Sequence, residues 1–300
     1  MDKSQCESCA NILSSLHSVR LDNFQVHTGL RILIEASLRE ENMLWLGCSL
    51  LLAALAAVAA AEKLVGSAKC QQDSVPWQVS LQSVHHVCSG ALVSQEWVLS
   101  SAQCSRSSPD HMEVWLGLQV PETPPKEKQQ VIAAAKLVPH KQFNNYTLDY
   151  DIMLIKLAQP AVLGELVQPI SLPSQCVIAG TQCLASEWIS SNRSCSGSTY
   201  FGLTADGTDK LLECSYLPVT SDATCNNVYP GRFTDRMLCA GQLDSSQDAC
   251  KGDVGSPLAC EEALQGLLSW KKSCSEENRL GLYTKICIFE DWIHYTIANN

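Results

Sequence analysis

Three short segments of the chain carry the residues that bear most directly on acid–base or nucleophilic chemistry. Residues 248–257 read DACKGDVGSP and contain Val254, and residues 97–104 read WVLSSAQC and contain Gln103. Asp151 begins a third, largely apolar segment, DIMLIKL. A valine side chain has no atom that can attack a carbonyl, and an amide does not titrate near neutral pH. Of the three residues, only Asp151 therefore carries an ionisable group.

All three segments resemble the trypsin-like and kallikrein-like serine proteases, and the resemblance extends over residues 64–300. By that resemblance Val254 stands where the family has its nucleophilic serine, and Gln103 stands where it has its general-base histidine. Asp151 matches the buried carboxylate of the triad. The backbone N–H groups of Gly252 and Val254 match those that stabilise the oxyanion in such enzymes.

The two replacements predict a protein without proteolytic activity. In enzymes of this geometry, loss of the serine or the histidine alone costs roughly 10⁶ in turnover, or about 8 kcal/mol, and the losses are not additive. In the family this aspartate orients the histidine, so we expect Asp151 to have nothing to orient. The alternative is a residual serine endopeptidase with Lys/Arg preference that uses Ser256. Ser256 lies two residues beyond the nucleophile position, and catalysis is sensitive to displacements near an ångström.

The resemblance also implies a specificity pocket for lysine or arginine. Asp248 matches the carboxylate at its base, and Ser269, Lys271 and Gly281 match its walls. Lys271 replaces a glycine that keeps the entrance open in the family. Two interpretations stay open: Lys271 reaches inward and pairs with Asp248, filling the pocket, or it points to solvent and only narrows the entrance.

Further departures from the family pattern concern glycines. Residues 187–189 read EWI where the family has a glycine on each side of the tryptophan, and Ser67 and Ser256 also replace glycines. Side chains at positions that favour positive φ strain the backbone. We therefore expect a strained segment at 187–189 and a poorly formed oxyanion region.

An activation switch is also implied by the resemblance. Cleavage after Lys63 would free the amine of Leu64, which in the family pairs with the aspartate matched by Asp253. Ser80 and His86, together with Asp253, match the positions that hold the uncleaved form.

Twelve of the sixteen cysteines stand where the trypsin family places six disulfides. The implied pairs are Cys70–Cys214, Cys88–Cys104, Cys176–Cys287, Cys183–Cys260, Cys225–Cys239 and Cys250–Cys274. Sequence alone could not fix this connectivity. Four cysteines are left over: Cys6, Cys9, Cys48 and Cys195. Three states of Cys195 stay open: a free thiol, a capped thiol or a thiol bonded to a partner chain.

The N-terminal segments predict a secreted, extracellular protein. An uncharged run from Leu44 to Ala61 ends in three alanines, which is typical of a cleaved signal peptide. An uncleaved signal-anchor is the alternative, and only then would the protein meet a membrane. The predicted organisation is an N-terminal extension or alternative start (1–42), a signal (43–61), a propeptide (62–63) and the protease-like domain (64–300).

The elements that must position these residues are mostly strands. Short apolar or alternating runs punctuated by turns favour an all-β sandwich or barrel. The expected strands are 77–81, 90–99, 114–118, 130–138, 152–157, 211–219, 257–259 and 266–270. The family adds two six-stranded antiparallel β-barrels and a C-terminal helix, for which Glu290–Ala298 has apolar residues at helical spacing.

The formal net charge of −10 argues against a nucleic-acid ligand, because phosphate contacts need clustered basic residues. We predict no cofactor and no metal, calcium included, since clustered oxygen ligands are not recognisable. Sequons at Asn145 and Asn192 are candidate glycosylation sites. The expected partner is a protein, either an inhibitor, a protease substrate or a receptor, and the expected state is a monomer.

Overall fold

The structure, a computed structural model, describes residues 68–71, 74–83, 87–106, 108–118, 129–190, 210–243, 253–271 and 280–300. By its internal contacts the chain divides into Met1–Leu64 and Val65–Asn300, and every described residue belongs to the second unit. The segments expected at 1–42, 43–61 and 62–63 lie outside the described residues.

The described residues form thirteen β-strands, joined by short helices and turns. These strands are β1 (Ala68–Lys69), β2 (Gln78–Ser83), β3 (Val87–Ser94), β4 (Trp97–Ser100), β5 (Met112–Leu116), β6 (Gln130–Pro139), β7 (Met153–Leu157), β8 (Gln182–Ser190), β9 (Lys210–Pro218), β10 (Met237–Ala240), β11 (Pro257–Cys260), β12 (Ala263–Lys271) and β13 (Gly281–Lys285).

Six of these strands close into the first barrel, in the order β2-β3-β4-β7-β6-β5, with every neighbouring pair antiparallel. Strand β5 illustrates why the sequence folds this way. Met112, Val114 and Leu116 are buried, while Glu113 between them is exposed. This period-two alternation places one face in the core and the other toward solvent.

The second sheet contains the six strands β8 to β13, with the short β1 added at one edge in the order β1-β9-β8-β11-β12-β13-β10. A bridge between Val219 and Ala240 joins the end of β9 to β10, so the sheet curls into the second barrel-like unit. The predicted all-β class with two six-stranded antiparallel barrels is thereby confirmed.

A shared apolar cluster packs the two sheets against each other and against the last helix. Leu99 and Leu154 come from the first barrel, and Leu264 and Leu267 come from the second sheet. The C-terminal helix, α2 (Glu290–Ala298), adds Ile293 to this cluster, as its spacing predicted. Functional groups from both sheets can therefore meet at this junction.

Helix α1 (Asp222–Val228) was not predicted, although Ser221 caps it by accepting a hydrogen bond from the Thr224 N–H. Short 3₁₀ helices lie at Ala102–Arg106, Pro109–His111 and Ile286–Ile288. In the described part of the chain, no helix combines the length and apolar character needed to cross a membrane.

Five of the six expected disulfides are confirmed: Cys70–Cys214, Cys88–Cys104, Cys176–Cys287, Cys183–Cys260 and Cys225–Cys239. The sixth expected pair, Cys250–Cys274, lies outside the described residues, as does Cys195.

One expected strand is divided in the structure. The expected strand 90–99 is two strands, because the chain turns at Gln95 and Glu96 between β3 and β4. Strands β1, β8, β10 and β13 were missed. β1 has only two residues, and the apolar and polar residues of the other three do not alternate in the way that an isolated half-buried strand requires.

Candidate functional site

Asp151 lies at the junction of the two sheets, immediately before Ile152 and strand β7, and is only 1% exposed. Oδ1 accepts hydrogen bonds from Ser101 Oγ at 2.5 Å and from the Gln103 backbone N–H at 3.1 Å. Oδ2 accepts from Ser269 Oγ at 2.5 Å and from Gln103 Nε2 at 2.6 Å. Four donors from both halves of the fold therefore enclose this carboxylate.

The electrostatics of this carboxylate are dominated by its burial. Burial raises the pKa of Asp151, and the hydrogen bonds from Ser101, Ser269 and Gln103 lower it only in part. The backbone carbonyl of Asp151 is fixed as well, since Thr284 Oγ1 donates to it at 2.7 Å. The residue is held rigidly at both its backbone and its side chain.

Gln103 fills the place beside Asp151 that the resemblance assigns to histidine. It lies on the 3₁₀ helix Ala102–Arg106, and its Nε2 also donates to the Ser269 carbonyl at 2.9 Å. The expectation that Asp151 has nothing to orient was therefore incomplete, because the carboxylate orients the Gln103 amide. The amide satisfies the geometry of the site, yet it can neither take up nor release a proton near neutral pH.

Val254 lies close to the same 3₁₀ helix, with its backbone oxygen 3.9 Å from Cys104 Sγ. The same oxygen accepts a hydrogen bond from the Ser89 N–H at 2.8 Å, and the valine side chain packs against the core of the first barrel. Gly255 follows with φ +88°, and a Cβ there would lie 2.1 Å from the Ser89 oxygen. The backbone thus approaches β3 in a way that only glycine permits.

The Ser256 side chain is buried, and its hydroxyl is already hydrogen-bonded. The residue is 0% exposed, and its Oγ donates to the Asp253 carbonyl at 2.7 Å. Asp253, the carboxylate expected to pair with a new N-terminus, is itself buried. Ser256 stabilises the backbone of residues 253–256.

Lys271, at the end of β12, does not point to solvent. Its Nζ lies 3.5 Å from Glu187 Oε2 on β8, and the two side chains are 9% and 5% exposed. The solvent-facing alternative for Lys271 is therefore wrong. The partner first expected, Asp248, lies outside the described residues, so the pairing of Lys271 with Asp248 stays untested.

The segment expected to be strained at 187–189 is regular strand. Glu187 pairs in register with Glu213 of β9, and Trp188 pairs with Leu212. The non-glycine residues with positive φ in the described chain are elsewhere: Leu148, Tyr150, Glu261 and Glu262. The backbone of 187–189 is extended, a conformation that any residue adopts without strain, so the expectation was wrong.

Gly281 and Ser269 belong to neighbouring strands, β13 and β12, and Gly281 pairs directly with Lys271. A Cβ on Gly281 would lie 2.5 Å from the Tyr283 ring, which explains why no side chain is present beside Lys271. The residues that the resemblance assigns to the walls of a pocket therefore lie on adjacent strands.

The remaining predicted residues divide into described and undescribed ones. Ser80 is buried and accepts a hydrogen bond from Gln82 Nε2 at 2.8 Å, and exposed Asn145 accepts one from Arg106 at 3.0 Å. Those outside the described residues are Lys63, Leu64, His86, Asn192, Asp248, Cys250, Gly252 and Cys274.

Sequence reasoning missed two sets of partners. Ser101 was not recognised as a donor to Asp151, although a buried carboxylate requires donors and Ser101 lies in the Gln103 segment. Asp149 was also missed: Arg236 binds both of its oxygens at 2.8 Å, and Thr234 donates to it at 3.0 Å. This second cluster links the two sheets near Asp151.

Across the described ranges, no group of three or more His, Cys, Asp or Glu side chains could hold a metal ion. The polar groups that converge at Asp151 are hydroxyls and amides, which donate hydrogen bonds to an anion.

The chain is similar to known proteins over most of its length. The family profile described as Trypsin matches residues 64–293. Trypsin from Sus scrofa is 43% identical over 242 residues, covering 80% of this chain and 97% of that protein. Anionic trypsin from Canis lupus familiaris is also 43% identical, over 80% of this chain and 91% of its own. Trypsin from Xenopus laevis is 41% identical over 84% of this chain and 99% of its own.

Proposed function

Because the chain belongs to the trypsin family, we propose that it is a family member without proteolytic activity that acts by binding another protein. The observation that carries the proposal is the hydrogen bond from Gln103 Nε2 to Asp151 Oδ2 at 2.6 Å. An amide donor occupies the position that a general base needs. The proton of an attacking hydroxyl would have no acceptor there.

The surroundings of Val254 support the same conclusion. Its partly buried side chain packs against the core of the first barrel and has no nucleophilic atom. A chain that lacks both the base and the nucleophile loses about as much as one that lacks either, roughly 10⁶ in turnover.

The second candidate is weak endopeptidase activity with Lys/Arg preference, and the names of the trypsin relatives favour it. In this reading Ser256 would have to replace the missing nucleophile. Its Oγ is buried and donates to the Asp253 carbonyl, so it would need to leave that bond and reach the surface. The arrangement therefore favours binding over hydrolysis.

We further propose that the protein is secreted and acts as a monomer. Five disulfides are typical of an oxidising compartment. A protein with this fold and no chemistry could act as a decoy for inhibitors or substrates of active relatives, or as the ligand of a receptor. In each case the recognised surface is that of a trypsin-like domain.

Turnover of Lys and Arg amide substrates tests the proposal. The samples are the full chain cleaved after Lys63, the single variants Gln103→His and Val254→Ser, and the double variant that combines them. We expect no turnover from wild type or from either single variant, and measurable turnover from the double variant.

Ser256→Ala serves as the matched control. Wild-type turnover that persists after removal of contaminating proteases, and that is lost in Ser256→Ala, would overturn the proposal in favour of the second candidate. Substrate turnover by the double variant alone would support it.

A further inference from the structure

Lys271 and Glu187 form a buried ion pair within the described residues. At both positions the resemblance implies a glycine. The Nζ to Oε2 distance is 3.5 Å, and both side chains are more than nine-tenths buried. Neither position therefore owes its charge to the family pattern, and neither residue takes part in the chemistry considered above.

The register of the second sheet locates the pair. Strand β11 lies between β8 and β12, and it pairs with β8 through Leu258 opposite Ala185. Continuing this antiparallel register by two residues places position 256 beside Glu187. On its other side the same segment is bonded to β12, since the Leu268 N–H donates to the Ser256 carbonyl at 2.8 Å. The contact between Lys271 on β12 and Glu187 on β8 therefore crosses the N-terminal end of β11.

The surroundings of Glu187 favour a cation. Neither of its carboxylate oxygens accepts a hydrogen bond from a described residue. Strand β9 aligns Glu213 with it, so a second acidic side chain projects from the same face of the sheet. Beyond Glu213, β1 aligns Lys69, which is exposed. A buried carboxylate without hydrogen bonds is costly unless a cation lies beside it, and Lys271 supplies that cation.

The geometry of the contact allows a cationic group of a ligand to replace Lys271 beside Glu187. Arg236 binds both oxygens of Asp149 at 2.8 Å, whereas Lys271 contacts one oxygen of Glu187 at 3.5 Å. A lysine is a point charge on a flexible four-carbon stem, and it does not fix a carboxylate in a bidentate geometry. An ammonium, amidinium or guanidinium group of a ligand would find the same carboxylate if Lys271 moved away.

We infer that Glu187 is the anion of a binding site for a cationic side chain, and that Lys271 is the built-in occupant of this site. The wild-type protein then excludes lysine- or arginine-like ligands from this site, whether or not it retains any hydrolytic activity. The inference goes beyond the loss of chemistry, because it concerns what can enter the site.

Benzamidine, a small amidinium, is the probe. Its affinity is measured by isothermal titration calorimetry for the full-length wild type, Lys271→Gly, the double variant Lys271→Gly/Glu187→Gln, and Lys141→Gly. Lys141 is an exposed lysine and serves as the matched control. We expect Lys271→Gly to bind at least about tenfold more tightly than wild type, the order that a hydrogen-bonded charged partner supplies. Lys141→Gly should bind as wild type does.

The double variant assigns the anion. If Glu187 is the carboxylate that binds the probe, then Lys271→Gly/Glu187→Gln loses the gain. Equal binding by wild type and Lys271→Gly would overturn the inference. Retention of the gain in the double variant would also overturn it, since another carboxylate would then bind the probe.

A second measurement does not depend on the folding of the glycine variant. The rate at which acetic anhydride modifies each lysine is measured by mass spectrometry in wild type and in Glu187→Gln. We expect Lys271 to react at least about tenfold more slowly than Lys141 in wild type, and most of this difference to disappear in Glu187→Gln. Equal rates for the two lysines in wild type would contradict an occupied, closed site.

Discussion

Asp151 and Glu187 are both buried carboxylates, 1% and 4% exposed, but their surroundings differ completely. Asp151 accepts four hydrogen bonds from three residues, whereas Glu187 accepts none from a described residue and is compensated by one cation at 3.5 Å. The hydrogen-bonding cage around Asp151, formed by Ser101, Gln103 and Ser269, accommodates an amide at 103 and adds no new charge. At 187, by contrast, a buried charge depends on a second charge at 271.

The largest effect on stability is expected for Asp151→Ala. Without the carboxylate, Ser101, Ser269 and Gln103 lose an acceptor in the interior, and each lost bond leaves a buried donor unpaired. We expect the free energy of unfolding to fall by about 3 kcal/mol. Chemical denaturation of the full chain measures this loss. The exposed Asp235 provides the control, because Asp235→Ala should change stability by less than about 0.5 kcal/mol. Equal midpoints for the two variants would refute a structural role of the cage.

A double-mutant cycle at Lys271 and Glu187 is expected to give the next largest effect. Lys271→Met alone leaves a buried carboxylate unpaired, and Glu187→Leu alone leaves a buried ammonium unpaired. Each single change should cost about 2 kcal/mol, because it leaves a buried polar group without a partner. The double variant should lie within about 1 kcal/mol of wild type, because neither charge remains. Thermal unfolding of the four proteins gives the coupling free energy. If the cost of the double variant equals the sum of the two single costs, the charges are not coupled.

The smallest effects are expected in the pH dependence of stability, where Asp149 and Asp151 should differ in sign. Burial raises the pKa of Asp151 above its ordinary value of 3.8, so its contribution is full below that pH and is lost as pH rises through the raised pKa. Burial also raises the pKa of Asp149, but hydrogen bonds from Arg236 and Thr234 outweigh it and lower the net value. Its contribution is present above pH 3.8 and is lost as pH falls through the lowered pKa. Because Asp149 and Arg236 are partly exposed, we expect this second contribution to stay below about 1 kcal/mol.

Unfolding free energies of wild type, Asp151→Asn and Asp149→Asn, measured from pH 3 upward, separate the two carboxylates. The difference between wild type and Asp151→Asn should shrink with rising pH, and the difference for Asp149→Asn should grow. The same sign for both differences would mean that burial does not control Asp151.

Much of the fold could be predicted from sequence, because alternating runs and cysteine positions report local geometry. Gln130–Pro139 and Glu290–Ala298 were found to within a residue, while the turn at Gln95 and Glu96 was missed. Of this cage, only the buried carboxylate of Asp151 was predicted, and its hydrogen-bond donors were not. Its donors come from segments 50 and 118 residues away, and only the packed sheets reveal them.

The contact between Lys271 and Glu187 was also not predicted from the sequence. The resemblance suggested only Asp248, a pairing that stays untested, and it did not suggest Glu187, which the Lys271 side chain contacts across the end of β11. The pattern EWI also suggested strain, because glycines stand there in the family. The strand pairing of Glu187 and Trp188 removes that strain, and pairing of this kind depends on residues far away in the chain.

The mutual dependence of Lys271 and Glu187 constrains how this lineage can change. Glycine at only one of the two positions would leave an opposite charge unpaired in the interior, so a single substitution gives a less stable protein. Restoring histidine at 103 and serine at 254 would leave that barrier untouched. The two charges therefore stabilise each other in the interior, and either position can change at little cost only if the other changes with it.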